Sequence, residues 1–292
     1  MTPTSRFVSA NGIRLHYLDW GGDGPPCLFV HGTGLCGGAW EPVVRRVAHR
    51  LRCLTLDLRG HGDSDKPDTP VTWGLLAQDL AAFMEVLDLR GVLAVGHSRG
   101  GGVVTLGAAL APQRYAGAVL VEPSVLMRVR PEAEQRRPRT QLAEAARRRR
   151  TVFPSRQAMF QAYRQRPTFA SWSEEALWAY INHGTAVQED GSAALKCSGE
   201  MEARFYEAPV DVPFWEAVGR LTFPVLLLYS LGSDRFDADA PVVQRFREAV
   251  PLRTAAVPGG HFTVMEHPEE TARHLLEFAA ELEGAGRLAT GR

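Results

Sequence analysis

Short apolar runs recur along the first part of the chain. Phe7–Ala10 and Ile13–Asp19 flank Asn11-Gly12, a dipeptide suited to a tight hairpin turn, and predict two antiparallel strands. Cys27–Val30 predicts a third strand. The period then changes. Ala39–Arg50 places Trp40, Val43, Val44 and Val47 on one face of a helix. Cys53–Leu58 predicts a strand, Leu75–Leu87 a helix, Val92–Val95 a strand, Gly100–Leu110 a small-residue helix and Ala116–Val121 a strand. After a long interruption, Pro224–Tyr229, Val242–Val250, Thr254–Val257 and Pro268–Leu282 repeat strand, helix, strand, helix. Short apolar strands alternating with helices predict an α/β fold: a mostly parallel sheet of about eight strands with both faces covered. The opening hairpin supplies the antiparallel edge.

The interruption runs from residue 124 to residue 213 and reads as helices rich in Arg, Gln and Trp. It leaves after one sheet strand and returns before the next. That predicts a helical cap (124–213) inserted into a core of residues 1–123 and 214–292, seated where open α/β sheets bind ligands. Between Arg128 and Arg150 nine arginines face only Glu132, Glu134 and Glu144. They predict a solvated amphipathic helix pair rather than an anion-guiding patch. Over the whole chain Lys+Arg and Asp+Glu are both 33, so the net charge is zero and no nucleic-acid or anionic-membrane partner is implied. Met1–Arg6 has no apolar leader and no run is long enough to span a bilayer, so a cytoplasmic location is expected. The four cysteines, Cys27, Cys36, Cys53 and Cys197, show no C-x-x-C spacing and are expected as free thiols. The nine histidines have no metal-ligand spacing, and neither a metal nor a cofactor is expected.

The sharpest chemical signal is Gly96-His97-Ser98-Arg99-Gly100, entered from the strand at Val92 and left by a helix. In that context Gly-x-Ser-x-Gly is a nucleophile elbow: the serine stands on a strained turn, and the flanking glycines let strand and helix approach. A neutral hydroxyl needs a base and a group that orients the base. His261, in Pro258-Gly259-Gly260-His261-Phe262, is the expected base. Two acids compete for the orienting role: Asp234, past strand Pro224–Tyr229, is preferred, and Glu122, at the end of strand Ala116–Val121, is the alternative. Acyl transfer also needs donors for the developing oxyanion. The backbone N–H groups of Arg99 and of Thr33, in His31-Gly32-Thr33-Gly34, are expected to supply them, with His31 making a structural hydrogen bond. Trp40, His97, His183 and Phe262 are candidate substrate contacts.

Five motifs in order carry a family resemblance: His31-Gly32, the segment Asp57–Asp65, Gly96–Gly101, Gly232-Ser233-Asp234 and Gly260-His261-Phe262. Together they resemble the α/β-hydrolase superfamily over nearly the whole chain outside the cap. The resemblance implies that Asp57–Asp65 is a structural loop, with His61 no part of a catalytic cluster. It also sorts chemistries. Epoxide hydrolases and haloalkane dehalogenases of this superfamily attack carbon with an aspartate, whereas Ser98 suits acyl transfer. The expected activity is hydrolysis of a carboxylic ester or lactone, the substrate being a small, apolar or aromatic molecule. Alternatives within the superfamily are a cofactor-free haloperoxidase (perhydrolase), a carbon–carbon bond hydrolase, which usually has Asn where this chain has His97, and a non-catalytic small-molecule receptor.

Overall fold

The predicted alternation folds as one open sheet. In chain order its first strands are β1 (Thr4–Ala10), β2 (Ile13–Asp19), β3 (Pro26–Val30), β4 (Arg52–Leu56), β5 (Val92–His97) and β6 (Tyr115–Val121). The inserted segment adds β7 (Val152–Phe153), β8 (Thr185–Val187) and β9 (Ala193–Leu195), and β10 (Val225–Ser230) and β11 (Leu252–Val257) complete the main sheet. The computed structural model describes residues 1–128, 132–232 and 239–288. The main sheet has eight strands in the order β1-β2-β4-β3-β5-β6-β10-β11. The pairs β1–β2 and β2–β4 are antiparallel, and all others are parallel. Parallel strands share one C-terminal edge, so the loops that leave β3, β4, β5, β6, β10 and β11 all meet there.

Alternate residues of each strand feed opposite faces. Leu28, Val30, Ala94, Leu120 and Leu227 pack under helices Trp73–Val86, Arg99–Leu110 and Phe214–Val218. Cys27, Phe29, Val95, Val119 and Leu228 pack under helices Glu41–Val47 and Pro268–Gly284. The four cysteines are buried and unpaired. Among the described residues no helix is long and apolar enough to cross a membrane.

The inserted segment is not wholly helical. β7, β9 and β8 form a separate antiparallel three-stranded sheet. These strands are two or three residues long, too short for a period-2 pattern to register, and Gly191 in the turn between β8 and β9 takes φ +81°. Among the described residues, arginines at the end of the run are matched inside the segment. Arg147 bridges Glu200 and Glu207 at 2.7 Å each, joining helix Glu132–Arg147 to helix Gly199–Glu207, and Arg148 lies 3.7 Å from Glu144.

Two loops at the C-terminal edge brace each other through a pair of histidines. The N–H of Leu58, in the loop after β4, donates to His31 Nε2 at 3.0 Å. The N–H of Gly34, in the loop after β3, donates to His61 Nε2 at 3.0 Å. Each ring therefore accepts at Nε2 and carries its proton on Nδ1, which donates to Gly32 O (2.7 Å, His31) or Arg59 O (3.1 Å, His61). The rings are buried and 5.0 Å apart. Burial pushes the His31 pKa down and the His61 pKa down to about 3. A close cluster of His16, Asp57 and Asp63 stiffens the same loop. It is satisfied internally: His16 Nδ1–H meets Asp57 at 2.7 Å, Gly37 and Asp63 N–H groups donate to Asp57, and Lys196 reaches Asp63 at 2.6 Å.

A Cβ on Gly100 would strike the carbonyl oxygen of Val30, whereas Gly219 is helical (φ −62°) with its nearest neighbour atom 3.6 Å away. Gly100→Ala is expected to cost ~1–3 kcal/mol or more, and Gly219→Ala to stay within about 0.5 kcal/mol, both read from denaturant unfolding. The neutral histidine pair should also make the fold acid-sensitive. The native state holds both rings unprotonated while the unfolded chain takes up protons below about pH 6.5. The His61 contribution is complete above that pH and is lost as pH falls toward about 3, and the His31 contribution is lost in the same direction. His61→Gln keeps an acceptor for Gly34 N–H without a titrating ring, so it should flatten the unfolding midpoint's pH dependence in that window.

Candidate active site

Ser98 sits between β5 and helix Arg99–Leu110 with φ +52°, a left-handed conformation that few non-glycine residues adopt. Its surroundings hold it there. Ser98 N–H donates to Val121 O at 2.9 Å, and Ser98 O accepts from Ser124 N–H at 3.0 Å and Gly101 N–H at 3.2 Å. The flanking glycines make the turn possible: a Cβ on Gly96 would come within 2.5 Å of the Gly100 carbonyl carbon.

His261, in the loop after β11, reaches the serine across two intervening strands, β6 and β10. Its Nε2 lies 3.0 Å from Ser98 Oγ, and its Nδ1 lies 3.4 Å from Glu122 Oε2. Glu122 follows β6 and is itself left-handed, φ +47°, with a buried carboxylate. Its backbone N–H donates to Leu228 O at 3.0 Å, and its Oε1 accepts the Ser230 N–H at 2.7 Å. The carboxylate is thus pinned by one oxygen to the end of β10, with the other facing the imidazole. Asp234 lies outside the described residues.

The peptide that carries the Thr33 N–H has its carbonyl, Gly32 O, fixed by His31 Nδ1–H at 2.7 Å and Leu35 N–H at 3.2 Å. In a trans peptide the N–H points the opposite way. Gly32 touches the nucleophile turn: a Cβ there would lie 3.3 Å from Ser98 Cβ. The Arg99 N–H opens the helix directly after the serine, where no helical carbonyl precedes it. The His31 hydrogen bond expected from the sequence is thus found, in a position to fix the Gly32–Thr33 peptide.

Of the four candidate substrate contacts, the structure brings two to the site. The Phe262 ring lies 5.3 Å from the His261 ring. His97 is buried beneath it, its Nε2 donating to the His261 carbonyl at 2.8 Å, so it supports the histidine loop. Trp40 and His183 are elsewhere. Trp40 is wholly buried against Phe29, because a helix face read as amphipathic packs entirely into the core. His183 bonds Glu41 at 3.1 Å and docks helix Glu174–Gly184 on helix Glu41–Val47. The hydrogen bond from His183 comes first among the causes that hold the Glu41 pKa down.

Residues without a sequence signal also shape the site. The Arg99 side chain is buried, lies 4.0 Å over the Trp73 ring, and donates to Phe205 O and, at 3.4 Å, to Thr33 Oγ1. It thereby ties the oxyanion turn to helix Gly199–Glu207. Tyr180, from the inserted segment, donates its hydroxyl to Gly34 O at 3.1 Å. Nothing in their spacing marks either; only the tertiary fold brings them here.

Known proteins resemble this chain in sequence and fold. The profile of the Alpha/beta hydrolase family matches residues 27–274. A non-heme chloroperoxidase of Streptomyces lividans is 43% identical over 117 residues, which is 39% of this chain and 42% of that protein. An N-formylmaleamate deformylase of Pseudomonas putida is 37% identical over 119 residues, 40% of this chain and 44% of the relative. The matched stretch thus spans less than half the length of these relatives. The solved structure of an E-2-(acetamidomethylene)succinate hydrolase superposes with a TM-score of 0.77 at 24% identity, covering 94% of this chain and 98% of that one, and so shares its fold. With the profile matched over most of its length and the sheet, elbow and histidine loop in their expected order, this chain belongs to the alpha/beta hydrolase family.

Proposed function

We propose that the protein is a serine hydrolase acting on a carboxylic ester or lactone through an acyl-enzyme on Ser98. The observation that carries this is the Ser98 Oγ–His261 Nε2 approach of 3.0 Å on a strained elbow. In this reading Ser98 Oγ attacks the substrate carbonyl while its proton passes to His261 Nε2. The Thr33 and Arg99 N–H groups hold the oxyanion. Collapse breaks the carbonyl–oxygen bond, and the leaving alkoxide takes the proton from His261. Water, deprotonated by the same nitrogen, then attacks the acyl-enzyme, and the proton returns to Ser98 as the acid leaves. Glu122 is assigned as the group that orients His261. Its support is a buried carboxylate 3.4 Å from Nδ1, held by Ser230 N–H, on a residue whose strained φ serves no turn that glycine would not serve better. The segment 124–213 is assigned as a cap over the strand ends, and the aromatic rings around Phe262 favour a small apolar or aromatic substrate.

The 43% identity to a chloroperoxidase supports a second reading with the same acyl-enzyme. There hydrogen peroxide replaces water as the attacking nucleophile and the product is a peracid. Supplying acetate, peroxide and bromide and following bromination of an acceptor separates the two.

Purified protein should turn over short-chain p-nitrophenyl esters and be labelled at Ser98 by a fluorophosphonate. Ser98→Ala should abolish both. A protein that resists labelling yet binds small esters is a receptor on this fold. Glu122→Gln should lower kcat by about 1,000-fold or more, with Asp234→Asn costing far less. A large loss confined to Asp234→Asn returns the orienting role to Asp234.

A further inference from the structure

The turn that carries His261 is held by three successive peptide groups. Gly260 N–H donates to Glu266 Oε2 at 2.5 Å, Gly260 O accepts the Ser230 hydroxyl at 2.6 Å, and His261 O accepts His97 Nε2–H at 2.8 Å. Glycine has no Cβ to restrict its own dihedrals. Fixing the peptide on each side of Gly260 therefore decides where the imidazole stands. Ser230 and His97 belong to β10 and β5. Glu266 is different, because its second oxygen is committed to the cap: Oε1 accepts the Ser171 hydroxyl at 2.6 Å.

The next two cap residues grip the same turn. The Trp172 ring lies 5.4 Å from Phe262, itself 5.3 Å from His261, and Ser173 N–H donates to Met265 O at 2.9 Å. Resting on the assignment of His261 as the base, we propose that cap residues Ser171–Ser173 act through Glu266 as a positioning element for His261, so that the base is seated for proton transfer only while this part of the cap is docked. A carboxylate released by Ser171 at this half-buried site is free to turn to water, and Gly260 N–H loses its fixed acceptor. Small displacements of a base are costly to catalysis, so one surface hydrogen bond has leverage here.

Ser171 is exposed, so Ser171→Ala should fold with an unchanged melting temperature. The second-order rate of Ser98 phosphonylation by a fluorophosphonate is expected to fall about 3–10-fold in Ser171→Ala and about 10–100-fold in Glu266→Ala. Glu266→Gln should restore most of it, because its carboxamide oxygen accepts from Gly260 and its NH2 donates to Ser171 Oγ. The downfield imidazole Nδ1–H proton resonance of His261 should broaden or shift in both alanine variants and return in the glutamine variant. A Ser171→Ala protein with wild-type rate and wild-type resonance overturns the proposal, as does a folded Glu266→Gln protein as slow as Glu266→Ala. If the wild type itself is not labelled, the hydrolase assignment fails, and the resonances alone decide whether the cap seats the histidine.

Discussion

Everything at this site depends on one close approach, the packing of helix Arg99–Leu110 onto β5 and β3 with no side chain between backbone and backbone. Gly100 lies against the Val30 carbonyl and Gly96 against Gly100. That contact forces the chain to reverse within a single residue, and the residue at the reversal is Ser98, at φ +52°. The strain is sustained because the surrounding parallel ladder is wholly buried and fixed in register. The Ser98 hydroxyl is thereby raised clear of the sheet at a point where a helix begins, which is where backbone donors are available.

The sheet register then fixes the partners. His97 pairs with Val121, so the next residues, Ser98 and Glu122, leave neighbouring strands side by side, and both do so in the left-handed region. Val121 in turn pairs with Leu228 and Ser230 with Val257, which carries the end of β6 across β10 to the start of the His261 loop. Ser98, Glu122 and His261 are thus separated by whole strand spacings, and a one-residue slip of any strand would turn its last side chain to the other face. Two adjacent strained residues on adjacent strands form a geometric pair, and that pairing is the structural reason to prefer Glu122 as the partner of His261.

How much of this could be read along the chain follows from which group carries the geometry. The candidate residues Ser98 and His261, the His31-Gly32 turn and the alternation of strands and helices are legible because backbone constraints write themselves as glycines at fixed places and as period-2 or period-3.6 runs. The reading of His31 as a structural donor rested on the same logic. The chain pattern favours Asp234 over Glu122, yet both stand at the correct edge and only register and side-chain reach separate them; Asp234 lies outside the described residues. Trp40, a candidate substrate contact in sequence, is wholly buried, and no pattern along the chain tells such core packing from a cleft. Whether His183 meets substrate or Glu41 is decided by how two helices dock. The strands β7, β8 and β9 escaped for want of length.

The insertion marks the limit of such reading because side chains rather than backbone turns determine its packing. Arg149 is half-buried in it, bonded to the buried Glu202 and, at 3.0 Å, to Tyr180, whose hydroxyl reaches Gly34 O in the turn after β3. Burial opposes the charge on Arg149, but the neighbouring Tyr180 and Glu202 outweigh it and hold the guanidinium protonated. A buried pair of this kind gains little over apolar packing, yet losing one member leaves an uncompensated charge, so it specifies a single arrangement more than it adds stability. The same arrangement brings Phe205 O to Arg99 and Ser171 to Glu266. Through Tyr180 and Arg99 the insertion is bonded to the His31–Gly34 turn and to the residue after Ser98, and through Glu266 it is bonded to the His261 turn. Rearranging the interior of the insertion would therefore shift the backbone around both Ser98 and His261.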